Sequence, residues 1–432
     1  MPVALAFALL PAALIALVAA LRAPLRVLLA AYAFLLPFGS AISLPVGLPA
    51  PFDTPTSVLG LLVIAGIIVH LVFEPRSAPR LLPAVSVWLA FATFVGLSFA
   101  WSVDARLTVD EVTVLLSLVI LYGLVMLMPV EQADVRRVED AIVLGGAVAG
   151  AYGIALLLGS GFAPTNNRFA VAGGVGKGID PNITAATLVL PLAIAIGRAT
   201  RATTVLARVA FWTAGALIAA AIVLTGSRGG IISAIAVIVV LVLNHPRRLR
   251  IAAVGLGIVV IAAGTLAIAP EGLRNRVIRP GSSGRTDIWR TALTRCDRFC
   301  ITGSGYGTFP TVYQDALHSE PGARGMDLPF VAHSIWIGSL IETGVVGALL
   351  MILALGLVGR DLLRLPAAVR GPPLAGFVGV LVASTFLSTL GFKYFWMVLM
   401  YAGISTLAHE NELAASIRTR PVHIPRMIVR QA

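Results

Sequence analysis

Lysine is almost missing from this 432-residue chain: of 32 basic residues only Lys177 and Lys393 are lysine, and the rest are arginine. Charge of either sign is scarce, at 12% of residues, where ordinary soluble domains carry about 25%. A water-soluble fold would have to bury nearly every helix on all faces, which excludes that class. Cysteine is limited to Cys296 and Cys300. Two are too few for a disulfide scaffold, and four residues apart they either pair or stay free.

Familiar catalytic signatures are lacking as well. No G-x-x-x-x-G-K-[ST] occurs; Gly173–Gly178 reads GGVGKG, but Gly178 follows Lys177 where a phosphate-cradling loop needs Ser or Thr. There is no H-E-x-x-H, and the histidines are scattered, which argues against a zinc hydrolase and leaves no metal site to propose. No D-x-D is present to hold a nucleotide diphosphate through a metal. A phosphorylated donor would therefore be gripped by arginine, which is permanently charged and offers two parallel hydrogen bonds. The net charge of +12 does not point to nucleic acid, because most arginines sit in short loops between apolar runs.

What is present is hydrocarbon: 58% of residues are apolar. Apolar runs of about 15 to 22 residues recur as far as Leu407, long enough to cross a hydrocarbon core about 30 Å thick. The expected fold is an all-α polytopic membrane protein of about 12–13 transmembrane helices with one large, partly helical periplasmic loop. Predicted spans fall at 3–21, 26–44, 57–73, 82–100, 112–128, 140–158, 182–197, 205–224, 229–243, 251–269, 344–359, 374–390 and 394–408. The span at 182–197 is short. The organisation is thus about ten helices in 1–269, the loop in 270–343, about three helices in 344–408 and a basic cytoplasmic tail in 409–432. The first segment has no Lys or Arg ahead of it, so it lacks the basic start of a cleavable signal peptide and is expected to be retained.

Arginine asymmetry orients the chain. Fifteen arginines, from Arg22 to Arg370, fall in alternate short loops, whereas the intervening short loops hold only Arg106, Arg168, Lys177, Arg228 and Lys393. The positive-inside rule puts the first set in the cytoplasm and the large loop outside.

That loop, Pro270 to Thr343, gathers eight arginines, both cysteines and two of the six histidines. Two spans upstream of it, Thr225-Gly226-Ser227-Arg228-Gly229-Gly230 sets one charge between two apolar runs. A charge so close to hydrocarbon is costly and marks a functional candidate; the plainer reading is an arginine snorkelling to the interface. Gly281 to Trp289 ends a glycine–serine stretch and opens a helix at Arg285, where free N–H groups favour an anion. The other loop arginines, Arg274 and Arg276 among them, read as headgroup or surface residues. Ile301 to Phe309 is a glycine-rich turn, weak evidence by itself. Phe330 to Trp336 places His333 at a helix start, as a cap or as a general base. Glu342, nine residues on, lies about half a rotation away and is not its orienting partner. Upstream, Asp180-Pro181-Asn182 starts a helix with Asp180 as cap, and Arg168 is a second-tier candidate for contacting substrate.

The order S-R-G-G (Ser227 to Gly230), G-R-x-x-x-W (Gly284 to Trp289), G-x-G-Y-G-x-F (Gly303 to Phe309) and A-H-S-x-W-x-x-x-L-x-E-T-G-V-V-G (Ala332 to Gly347) resembles the O-antigen ligase and O-antigen polymerase superfamily, and is closest to the ligases. The resemblance implies a metal-independent, cofactor-free, inverting glycosyltransferase of the bacterial inner membrane, with its site facing the periplasm. The donor would be a glycan on undecaprenyl pyrophosphate, and the acceptor a hydroxyl of lipid A–core or another glycolipid. Its functional arginines match Arg228 and Arg285, as pyrophosphate-binding residues, and its catalytic histidine matches His333. A polymerase would instead extend a second lipid-linked glycan. A flippase or transporter would need charges buried mid-span, whereas here the spans are nearly charge-free, with His70 the clearest polar intruder.

Overall fold

The structure, a computed structural model, describes residues 18, 22–39, 53–73, 81–159, 168–171, 180–246, 248–278, 284–319, 325 and 327–418. Among them 82% are helical and none forms a strand. The membrane helices before the loop are α1 (Ala30–Leu35, between a π turn and a 3-10 turn), α2 (Pro55–Phe73), α3 (Pro83–Leu97), α4 (Ala105–Val125), α5 (Gln132–Gly159), α6 (Pro181–Arg201), α7 (Val205–Leu224), α8 (Arg228–Leu243) and α9 (Arg248–Ile268). The loop contributes α10 (Glu271–Ile278), α11 (Arg285–Leu293), α12 (Cys296–Phe299) and α13 (Phe309–Ser319); α14 (Ile335–Arg364), α15 (Ala367–Ser384) and α16 (Lys393–Arg418) follow.

Eight of these helices are long and apolar enough to cross a bilayer, and Arg26–Phe38, Arg228–Leu243 and Gly255–Ile268 are shorter apolar helices. Every predicted span from residue 26 onward meets a helix; the first, at 3–21, lies outside the described residues apart from Val18. α16 runs unbroken to Arg418, into the segment expected as the tail from residue 409.

The weakest predicted span is the centre of the fold. α6 has 83% of its apolar window buried, against 33–61% for the other seven long helices. It packs on α5, α7, α8 and α15 and touches α16. Its hydropathy is modest because Thr184 and Thr187 face protein rather than lipid, and both are buried. Without a hydrophobic drive between helices in lipid, close packing has to come from small residues. Glycines supply it: a Cβ on Gly379 would stand 2.6 Å from Val189, and one on Gly376 2.5 Å from Leu190. Gly150 of α5 lies so close to α7 that a Cβ would be 2.6 Å from the Leu217 carbonyl oxygen.

The loop has its own small core of Ile288, Ala292, Phe299, Phe309, Val312, Tyr313, Ala332 and Ile341. Cys296 and Cys300, whose state the sequence left open, form a disulfide across α12. α14 is two helices in series: Gly344, at φ 63° and ψ −173°, breaks it. Ile337 and Ile341, before the break, join the loop core, and the run after it enters the membrane bundle against α3. The helix that leaves the loop starts at Ile335, ahead of the boundary drawn at residue 343. The glycine joint between α5 and α7 can be checked directly. Gly150→Ala should cost about 1–3 kcal/mol by overpacking against backbone, read as a lower melting midpoint of the detergent-solubilised protein.

Candidate functional site

The site is built outward from the Thr225–Gly230 turn. Gly226 takes φ 61°, a conformation that favours glycine. Ser227 then caps α8, its Oγ accepting from the Gly230 N–H at 3.2 Å. α8 has 16 residues, giving about 24 Å of helix, short of a hydrocarbon core of about 30 Å. Its first residue, Arg228, is consequently held close to the apolar boundary and is half-buried.

Arg168 closes over this turn. Its Nε donates to the Thr225 carbonyl at 2.7 Å, and its Nη2 donates to Asn182 Oδ1 at 3.1 Å. Asn182 is held in turn by Asp180, whose Oδ1 accepts from both the backbone N–H and the Nδ2 of Asn182, each at 2.8 Å. Asp180 is the N-cap of α6, as its sequence suggested. Leu273 of α10 packs over Gly226 from the loop side, 3.6 Å from where a Cβ would stand.

Arg285 opens α11 after Gly284 at φ 79°. It lines a narrow pocket with Asn182, Ser227, Gly229 and Gly230, so the second predicted arginine meets the turn that carries the first. α11 is anchored by Ile288 and Ala292 in the loop core. Its Trp289 indole N–H donates to the Ala332 carbonyl at 2.7 Å, tying α11 to the residue before His333. His333 itself adopts φ 46°, rare for a residue with a side chain and a mark of imposed strain. Ser334 caps the helix that follows. The imidazole lines a cavity of about 780 Å³ together with Asp180, Tyr306, Glu342 and Phe392.

Electrostatics joins these segments. Burial pushes the Arg168 guanidinium down to about 10, with Arg276 and Arg285 adding repulsion and Asp180 opposing it. Burial also lowers Arg285, which is stabilised by Asp180 and repelled by Arg228 and Arg276. His333 is lowered from 6.5, first by burial and then by Arg285, again against Asp180. The guanidiniums stay charged at neutral pH, while His333 is a neutral imidazole.

All four predicted residues, Arg168, Arg228, Arg285 and His333, come together in one neighbourhood. Arg276 is exposed, as a surface residue would be, and its charge also acts on Arg168 and Arg285. Arg274, two residues away and also exposed, does not figure there. Helical phase about the buried Leu273 makes the distinction, and sequence alone did not reveal that Leu273 is buried. Asp180 was read only as a cap, and its charge reaches Arg168, Arg285 and His333.

The glycine-rich turn is also more than a loop. Gly303, Gly305 and Gly307 all have positive φ. Side chains there would strike the Glu342 carbonyl, Ser102 and Glu111 respectively. The turn thus joins α14 to the α3–α4 corner, with Gly305 N–H donating to the Glu342 carbonyl at 3.0 Å. Glu342 also accepts from the Phe309 N–H at 3.2 Å, a bond to the turn rather than to His333. Gly303→Ala, strained in φ and blocked by backbone, should loosen this joint. Limited proteolysis of the purified protein would then cut the loop faster than in wild type.

Residues 213–352 match the family model described as O-antigen ligase. That stretch holds Arg228, Arg276, Arg285 and His333, and leaves Arg168 and Asp180 outside it. No curated protein matches the chain.

Proposed function

We propose that this chain, a member of the O-antigen ligase superfamily, is an inverting glycosyltransferase that moves a glycan from undecaprenyl pyrophosphate to a hydroxyl of lipid A–core. One observation carries the reading. Arginines from the segment before α6, from α8, from α10 and from α11 share one electrostatic neighbourhood beside a cavity that also holds a neutral histidine. A diphosphate is the ligand chemistry that so many guanidiniums suit, since each can grip phosphate oxygens through charge-assisted hydrogen bonds. The first turns of α8 and α11 lie there too, and a helix start favours an anion.

In the proposed reaction Arg168, Arg228, Arg276 and Arg285 hold the donor diphosphate. His333 accepts the proton of the acceptor hydroxyl, whose oxygen attacks the anomeric carbon from the face opposite the leaving group. The bond between that carbon and the diphosphate oxygen breaks, and the electron pair leaves with polyprenyl diphosphate. The arginines stabilise the charge that develops on it, as preorganised donors do in an oxyanion site. A second cavity of about 220 Å³, enclosed by membrane helices and sharing Val114, Ile183, Gly391 and Phe392 with the first, suits the isoprenoid chain.

Arginine asymmetry supports a loop on the non-cytoplasmic side, which in this reading is the periplasm. The Cys296–Cys300 disulfide supports the same side, because disulfides persist in oxidising compartments.

Arg228→Ala and Arg285→Ala should each lower transfer in membranes about 10²–10³-fold, and His333→Ala about 10²–10⁴-fold. Full activity in the His333 variant would remove it from the base role. Since the base form is neutral imidazole, the rate should be flat through neutral pH. It should fall only as pH drops through the lowered value, below 6.5. Deleting the gene and examining glycolipids separates the family's branches. Polymer stranded on the carrier indicates a ligase, single repeat units on core indicate a polymerase, and donor retained on the cytoplasmic leaflet indicates a flippase.

A further inference from the structure

We infer that Asp180 is a positioning residue of this site: its carboxylate locks Asn182, and through it Arg168, and supplies a fixed negative charge that Arg168, Arg285 and His333 share. The inference rests on the transfer reading above and deepens it.

Capping α6 requires only one acceptor for the Asn182 N–H, and Ser, Thr or Asn serve that purpose as well as Asp. Asp180 does more. By also accepting from Asn182 Nδ2 it fixes the amide so that Oδ1 faces Arg168 Nη2. Arg168 in turn holds the Thr225 carbonyl, at the start of the turn that carries Arg228. A continuous path of hydrogen bonds thus runs from the top of α6 to the Thr225 carbonyl, three residues before α8. Asn182, in the middle of that path, lines the small pocket that Arg285 enters.

The charge matters separately from the bonds. Before a diphosphate arrives, four guanidiniums repel one another across a partly buried site, where screening by water is weak. A carboxylate at the helix start offsets that repulsion and keeps them gathered. It does so at a helix N-terminus, where negative charge is itself favoured. Asp180 also lines the cavity of His333, as do Asp110 and Glu111 of α4 and Glu342 of α14. The charges that act on the imidazole are Arg285, which disfavours its protonation, and Asp180, which favours it. Asp180 thereby lets His333 take up a proton that Arg285 would otherwise repel.

The test compares Asp180→Asn with wild type. The amide keeps the shape and the capping oxygen but loses the charge. Transfer to a core acceptor from a polyprenyl-diphosphate glycan in proteoliposomes should show kcat falling about 10- to 100-fold, the equivalent of one hydrogen bond to a charged group. KM for the donor should rise, because the substrate itself must then gather arginines that the carboxylate no longer holds together. The acid limb of kcat should move to lower pH, since Arg285 then acts on His333 unopposed. A variant that keeps wild-type kcat, or loses kcat with the acid limb unmoved, overturns the inference. Should Asp180→Asn not fold, Asp180→Ser retains a capping hydroxyl without charge and carries the same expectation.

The His333 titration read by NMR of histidine-labelled protein needs no turnover. It should shift to lower pH in either variant, and an unshifted titration overturns the inference on its own. If wild-type protein transfers no glycan, the functional reading fails, and the NMR titration still decides the role of Asp180.

Discussion

The first turn of α6 is the fixed point of the loop-bearing face. Helix α6 has 83% of its apolar window buried, the highest of the eight long apolar helices among the described residues, so it offers its N-terminus a firm base. Asp180 and Asn182 sit on that immobile end, and their hydrogen bonds pass its position to Arg168 and thence to the Thr225 carbonyl. A flexible guanidinium loses about 2 kcal/mol of rotamer entropy when it is ordered. Anchoring Arg168 at two ends meets that cost during folding rather than at binding. The carboxylate does the same for charge: it offsets repulsion among arginines that a substrate would otherwise have to overcome.

The loop solves a different problem, which is to bring distant residues to that fixed point. Its own apolar core is small, and a segment of this size gains stability from being tied down at several points. Three joints do so. Leu273 packs over the Gly226 turn, the Gly303–Gly307 turn binds the backbone at Glu342, and Val345 N–H donates to the Cys300 carbonyl at 2.8 Å beside the disulfide. Gly344 then lets one helix serve both worlds, packing with the loop before the break and within the bundle after it. The left-handed backbone of His333 sits between the Trp289–Ala332 bond and the Ser334 cap. Such strain persists only where neighbours over-determine it.

How much of this was legible in the sequence differs from residue to residue. Arg228 stood out because a lone charge between two apolar runs is conspicuous by composition. Arg285 and His333 were singled out by helix-start position and by family likeness. Arg276 was passed over, because an arginine in a polar loop looks like any other until Leu273 fixes the phase of its helix. Asp180 was assigned a local duty, since a cap can be read from three consecutive residues, whereas a charge shared with Arg285 and His333 spans more than a hundred residues of chain. The span at 182–197 looked weak because it is short; the helix there runs from Pro181 to Arg201, and its buried Thr184 and Thr187 face protein.

The bilayer explains this division. Hydrocarbon imposes a rule on each segment separately, that about 20 apolar residues must follow one another, so the spans and the break at the loop are written locally. Cationic loops obey a similarly local rule, which sets the side of each. The site answers to no local rule. Its charges come from segments separated by membrane helices, and only the packing of α6 among its neighbours, with glycines closing the gaps, decides which arginines stand within reach of one carboxylate.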